Sequence, residues 1–255
     1  MNKTEYYTHI FDRYGNIKRG RGCFLYTAKG ERLTDLYQEE GRAILGWGGG
    51  AAFTVLKNVL NRGLTGSFKT DFSYRLKKAV DALLFGYFNV AVFNSMDDAM
   101  ACAPGKIIVW RPWNYENADC VDFSSVVFNA PLPWSNGLVI LASKLEISCA
   151  QKSVVLPAVM EASVTKSIYE LICAIQNRQE KDFFIYDSVL TKYFTRKGPW
   201  LFPKIPESEY DKFVLHCLNL GIVISPEFNV PGLVPFGANA GVFECLKKNP
   251  FSAEN

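Results

Sequence analysis

Few side chains in this sequence combine a reactive type with a useful spacing. His9 and His216 are the two histidines; they stand far apart, His216 beside Cys217 on a stretch with helical periodicity. No G-x-S-x-G turn presents a nucleophile, and no P-loop or G-x-G-x-x-G run cradles a phosphate. The seven cysteines (23, 102, 120, 149, 173, 217 and 245) are odd in number and lack a C-x-x-C pair, so they read as reduced core thiols, not a disulfide framework or zinc site. Ser95 opens the run Ser95-Met96-Asp97-Asp98, where its hydroxyl can cap a helix whose first-turn acids favour the dipole. Ser124 and Ser125 read as ordinary strand-end serines, and Lys106 and Lys144 flank apolar strands at positions where lysines are usually solvated. GWGGGAAF at 46–53, with Trp47, Trp110 and Trp113, holds the ingredients of an apolar pocket, or equally of core and interface.

The elements that would position these residues alternate between helix and strand. CFLYTAKGERLTDLY gives two short strands around a turn at Ala28-Lys29-Gly30. GWGGG leads into a helix carrying Phe53, Leu56, Val59 and Leu60, and SYRLKKAVDALLFG is an amphipathic helix with Leu76, Ala79, Val80, Leu83 and Leu84 on one face. Four brief apolar strands follow at 89–95, 106–110, 119–127 and 137–143, apolar enough to be buried on both faces of a sheet. Beyond Pro157 a long helix carries Met160, Val164, Ile168, Leu171, Ile172 and Ile175; GPWLFPKIP at 198–206 reads as a proline-broken linker. A last helix with Tyr210, Phe213, Val214, Cys217 and Leu218 on one face stops at Gly221, and the strand GIVIS follows. The expected architecture is α/β in two lobes: an N-terminal segment 1–45 packing on the small lobe, a large lobe 46–155 and a small C-terminal lobe 156–255.

Composition excludes several classes of function. With 49% hydrophobic and 14% aromatic residues, 255 residues bury a sizeable core, which argues against disorder. The net charge of +3 is spread along the chain, so neither nucleic acid nor an anionic membrane is expected as a partner. The N-terminal stretch is polar, without an apolar signal core, and a cytoplasmic location is expected.

Four stretches, in order, resemble the class III aminotransferases, of the fold type I group of pyridoxal-phosphate enzymes. RGRGCFLYTAKGERLTDLYQEEGRAILG at 19–46 is similar to the family's "G-x-x-L-x-D-x-x-G" opening, and VFNSMDDAMACA at 92–103 to "F-x-N-S-G-x-E-A-N-E-A-A". ADCVDFSSVVFNAPLPWSNGLVILASKLEI at 118–147 resembles "P-D-I-x-x-x-x-K-x-x-x-x-G-x-P-x-G-A-x-x-A-S-x-E-I", and GIVISPEFNVPGLVPF at 221–236 resembles "G-x-x-x-S-P-x-x-x-N-x-x-R-x-x-P-P". The resemblance implies a truncated fold type I architecture, because much of the family's central sheet has no counterpart between residues 95 and 119. It also implies a dimer, since family members build their sites across a subunit interface and shortened lobes leave apolar strands to cover.

The same resemblance makes the chemistry doubtful at each required position. Counting from Ala118-Asp119 as the "P-D" pair, Ser125 falls where the Schiff-base lysine belongs, and a hydroxyl cannot condense with the cofactor aldehyde. Asn94 and Ser95 match the phosphate turn, but Met96 and Asp97 replace the small residues that let backbone amides approach an anion. Trp110 and Arg111 stand where an acid should hold the pyridine nitrogen, and Gly232 replaces the arginine that clamps the substrate carboxylate. Asn94, Ser95 and Ser125 are therefore vestigial cofactor positions, no catalytic residue or metal site is assigned, and no cofactor is expected. The expected role is binding, through homodimerisation or a protein partner. The alternative is a pyridoxal-phosphate enzyme with relocated catalytic residues, for which Lys106 and Lys144 are the lysines near enough in sequence.

Overall fold

The computed structural model describes residues 1–114, 123–135, 137–148 and 152–252. In chain order its first elements are α1 (Lys3–Tyr14), β1 (Ile17–Arg21), β2 (Phe24–Thr27), β3 (Arg32–Asp35), α2 (Gly50–Asn61), α3 (Phe72–Leu84), β4 (Asn89–Phe93) and α4 (Met96–Cys102). There follow β5 (Ile107–Val109), β6 (Ser125–Asn129), β7 (Val139–Ser143), α5 (Ala158–Asn177), α6 (Lys181–Phe184) and α7 (Asp187–Leu190). The chain ends with β8 (Phe194–Lys197), β9 (Trp200–Pro203), α8 (Glu207–Asn219), β10 (Ile222–Val223), β11 (Gly232–Leu233) and α9 (Glu244–Lys248). They divide into two compact units: Met1–Gly41 with Gly46–Gly48 and Arg178–Asn255, and Arg42–Leu45 with Gly49–Asn177.

The first unit joins the two ends of the chain. Asn2 caps α1 by accepting the Glu5 amide at 2.8 Å, and the helix buries Tyr6 and Ile10, four residues apart on one face. β2 and β3 form the expected antiparallel hairpin, with Gly30 at φ +84° in its turn. β1 pairs on the far side of β2, and β10 adds in parallel to β3, Ile222 opposite Thr34 and Val223 opposite Asp35. α8 buries the face predicted from its periodicity, Tyr210, Phe213, Val214, Cys217 and Leu218. The stretch expected as a linker, 198–206, instead completes a β8–β9 hairpin: Gly198 turns at φ +57°, Trp200 and Leu201 are buried, and Pro203 falls in the last strand position, where a missing donor costs little.

In the second unit α2, α3 and α5 pack around Val59, Phe72, Ala158 and Ala162, and the Ser163 hydroxyl donates to the Ala52 carbonyl at 3.0 Å across the α2–α5 contact. The long helix expected to open the C-terminal lobe thus belongs here, and the division falls after Asn177, not at 155. Its buried Met160, Val164, Ile168 and Leu171 need a helical partner, which α2 and α3 supply.

The sheet of this unit runs β4-β7-β6-β5. β7 is antiparallel to β4 and β6, and β5 is parallel to β6, so β4, β5 and β6 all point the same way. β6 and β7 are almost fully buried, as their composition predicts. The strand read over 119–127 is observed at Ser125–Asn129, while Ala118, Asp119 and Cys120 lie outside the described residues. Phe93, Val127, Val139 and Leu141 pack against Ala99 and Cys102 of α4 on one face. Of the five described cysteines, Cys23, Cys102 and Cys217 are buried, whereas Cys173 and Cys245 are exposed and not core thiols; Cys149 is likewise outside the described residues.

Candidate functional site

In an open α/β sheet, ligands bind where parallel strands end, because loops and helix N-termini converge there. In the second unit that edge is set by Phe93 of β4, Asn129 of β6 and the step from Val109 to Trp110 after β5. Asn94 and Ser95 sit on it. The Ser95 hydroxyl accepts the Asp98 amide at 3.1 Å and donates to the Asp98 carboxylate at 2.6 Å, so it is spent on capping the seven-residue α4. Asp97 and Asp98 occupy the first turn, and Met96 is packed into the sheet's core cluster. A β-carbon at Gly137 would come within 3.1 Å of the Asn94 amide oxygen, so that side chain closes over the neighbouring loop.

Ser125 is at the other edge. It starts β6, level with Ser143, the last residue of antiparallel β7, and with Asn89, the first of β4. Four residues of strand, about 13 Å, separate this row from the row of Phe93 and Asn129. The structure therefore brings Asn94 and Ser95 together and leaves Ser125 apart from them. Ser125 is fully buried; its hydroxyl donates to the Pro104 carbonyl at 2.6 Å and lies 3.0 Å from the Ser143 hydroxyl. Lys106 precedes β5 and Lys144 follows β7, so both belong to Ser125's edge; the Lys144 ammonium lies 4.2 Å from the Phe123 ring centre.

The segments that leave the carboxyl edge, 94–104, 110–122 and 130–138, contain no lysine. Trp110 donates its amide to Val127 at 2.9 Å and packs edge-on to Phe128, ring centres 5.5 Å apart, while burial lowers the Arg111 pKa. Gly232 is buried in β11 of the first unit, where a β-carbon would lie 3.0 Å from the Leu36 carbonyl oxygen; no longer side chain fits without moving backbone. Trp47 belongs to the first unit, Trp110 and Trp113 to the second.

The most distinctive geometry is the turn after β3, to which the sequence assigned no role. Asp35, fully buried, accepts the amides of Tyr37 and Gln38 on Oδ1, both at 2.9 Å, and the Trp47 indole N–H on Oδ2 at 2.7 Å. These bonds reverse the chain in the manner of an Asx turn. Gln38, Glu39 and Glu40 then take φ of +46°, +51° and +59° in succession before Gly41 at +86°. Each such non-glycine residue costs roughly 1–2 kcal/mol. The cost is offset locally: Lys3 bonds Glu39 at 3.3 Å and Glu40 at 2.9 Å, the Tyr37 hydroxyl donates to Glu40 at 3.1 Å, and the Gln38 amide donates to Val234 at 3.3 Å. Beside the turn lies a cavity of about 260 Å³ walled by Tyr7, Tyr37, Trp47, Asp35 and Glu39 over an apolar floor. Burial pushes the Asp35 carboxyl up to about 6, against the pull of its three N–H donors. Glutamine and glutamate are helix formers, so nothing in their types announces a left-handed run; the signal in the sequence is Asp35 itself, ending a strand before a turn closed by Gly41.

Comparison with solved structures identifies the architecture as that of the class III aminotransferases. The chain superposes on ornithine δ-aminotransferase from Plasmodium falciparum with a TM-score of 0.65 at 13% identity, covering 96% of this chain and 97% of that one. For acetylornithine aminotransferase from Elizabethkingia anophelis the TM-score is 0.63 at 13% identity, over 97% and 98% of the two chains. For an omega-transaminase from Sphaerobacter thermophilus it is 0.63 at 12%, over 94% and 96%. In sequence the chain is 25% identical to an uncharacterized protein of Treponema pallidum (90% of this chain, 92% of the relative) and 26% identical to one of Borreliella burgdorferi (96% and 94%). No family model matches the chain.

Proposed function

We propose that this aminotransferase-fold protein has lost transaminase chemistry and works by binding, as a dimer of its own kind or with a protein partner. The observation that carries the reading is the absence of lysine from the sequence of all three segments that leave the carboxyl edge, while Lys106 and Lys144 stand at the opposite edge. Pyridoxal phosphate would supply an electron sink for amine chemistry, but the residues present do not fit it. No amine there can hold the aldehyde, Ser95 is committed to its own helix, and Asp97 and Asp98 put negative charge where a phosphate would sit. Gly232 leaves the substrate carboxylate without a cation and has no room for one. Phe85 and Tyr87, 95% and 90% exposed on the approach to edge strand β4, give a second copy an apolar surface and a strand edge to cover. The unpaired thiols of Cys23, Cys173, Cys217 and Cys245 favour a reducing, cytoplasmic setting.

The test is incubation of the purified protein with excess pyridoxal phosphate, borohydride reduction and mass analysis of the peptides. The expected result is no cofactor-dependent absorbance and no stoichiometric adduct. One lysine modified in full would restore the enzyme reading. For the dimer, light scattering should give twice the chain mass, and Phe85→Ser with Tyr87→Ser should reduce it to one chain.

A further inference from the structure

The turn after β3 is unused by the reading above, and its cavity does not depend on whether transaminase chemistry survives. Three aromatic rings, those of Tyr7, Tyr37 and Trp47, stand around it with the carboxylates of Asp35 and Glu39, and Ile10 and Ile17 add to its apolar lining. Aromatic faces and acids around one space attract a cation; a neutral apolar ligand would gain from the rings but would leave a buried carboxylate uncompensated. The protein already contains an internal example: the Lys3 ammonium lies 5.6 Å from the Tyr37 ring centre while bonding Glu39 and Glu40.

Hydrogen bonding narrows the class of cation. Asp35 Oδ1 already accepts two N–H groups and Oδ2 one, and the Tyr7 and Tyr37 hydroxyls donate to Glu39 at 3.4 Å and to Glu40, so few acceptors are left for the N–H groups of a ligand. A primary ammonium brings three N–H donors that need acceptors, whereas a quaternary ammonium has no N–H and is held by charge and ring faces alone. Gly20 makes room for Trp47, since a β-carbon there would lie 2.9 Å from the Trp47 Cβ, and the indole N–H bond to Asp35 at 2.7 Å fixes the wall before any ligand arrives. The volume of about 260 Å³, just below the usual range of ligand pockets, suits a trimethylammonium group with a short tail.

We propose that this cavity is a binding site for a quaternary ammonium group, with Tyr7, Tyr37 and Trp47 as its walls and Asp35 and Glu39 as its counter-charge. A free small molecule and a lipid headgroup both carry this group, and the chemistry of recognition is the same. The test uses the full chain, choline, and the neutral isostere 3,3-dimethylbutanol, with calorimetry for affinity and the Trp47 indole N–H resonance for location. Choline should bind saturably and move that resonance, and the isostere should bind about tenfold or more weakly. Tyr7→Ala, at a side chain 41% exposed, and Glu39→Gln should each weaken choline several-fold; Asp35→Asn should do so as well if it folds. Co-sedimentation with phosphatidylcholine vesicles assigns the lipid source, and its absence beside choline binding assigns the soluble one. Equal affinity for the isostere, indifference to both Tyr7→Ala and Glu39→Gln, or no saturable choline binding would overturn the proposal.

Discussion

The carboxyl edge of the β4-β7-β6-β5 sheet and the turn after β3 present opposite cases. At the first, the fold is the one seen in class III aminotransferases, and the side chains are engaged with their own surroundings: Ser95 caps its own helix, Asn94 lies beside Gly137, and Met96 packs against the core. At the second, no inherited chemistry is expected, and the chain holds three strained residues, a buried acid and a cavity. Strain that local bonds offset without relieving is usually kept where it positions something. The fold likeness therefore points to one place and physical cost to another.

The most forceful way to break this comparison is to return an amine to the sheet. Ser125→Lys would bury an ammonium among Pro104, Ser143 and the core, at the edge remote from Asn94 and Ser95. Burying an unpaired charge should cost on the order of 5 kcal/mol or more, and the variant should fail to fold or melt far below the parent in thermal denaturation. A stable variant that forms a reducible pyridoxal-phosphate adduct would show that this edge, and not the carboxyl edge, can hold the cofactor.

That experiment also shows how far the sequence could be read. The hairpin before Asp35, the faces of α3 and α8, and the four sheet strands follow from periodicity and turn residues, and the aminotransferase fold from four colinear motifs. Register is what failed to follow. The count to Ser125 began at Ala118-Asp119, outside the described residues, whereas the apolar run Val126-Val127-Phe128 fixes where the strand lies and makes Asn129 its end. A strand's length places a residue at one edge or the other, and a loose motif does not determine length. The left-handed run at 38–40 was illegible for a different reason: beside the local bond to Asp35, its conformation is held by Lys3 and Val234, from distant parts of the sequence.

The next largest effect tests whether the strained turn is as fixed as its bonds imply. Gly41 stands at φ +86°, and a β-carbon there would lie 2.6 Å from the Trp200 ring. Gly41→Ala should cost about 2–4 kcal/mol, combining the left-handed penalty with overpacking, measured by urea denaturation. A comparable sum resides in Asp35. Its native carboxyl titrates at about 6 against 3.8 for the ordinary group, so the folded state holds the proton more tightly than the unfolded chain. Stability should therefore fall as pH rises from about 4 to about 6.5, by on the order of 3 kcal/mol, and Asp35→Asn should remove that component from the difference between the two proteins. Parallel pH profiles would mean that the carboxyl is solvated and the turn open.

The smallest effect sharpens the contrast by asking what strain does without partners. Phe85 ends α3 at φ +52° with 95% of its surface exposed, and its amide reaches back to the Asp81 carbonyl as a helix-ending cap. In the isolated chain Phe85→Gly should stabilise by about 1 kcal/mol, since glycine takes this conformation freely and little packing is lost. At Glu40, equally left-handed, glycine would relieve the same strain but sever the bonds to Lys3 and Tyr37, so the gain should vanish or reverse. If Phe85→Gly instead destabilises the protein at concentrations where it is dimeric, and is neutral on dilution, the exposed ring is held by a second copy. The strain at Phe85 would then serve an interface, as that at Glu40 serves the turn.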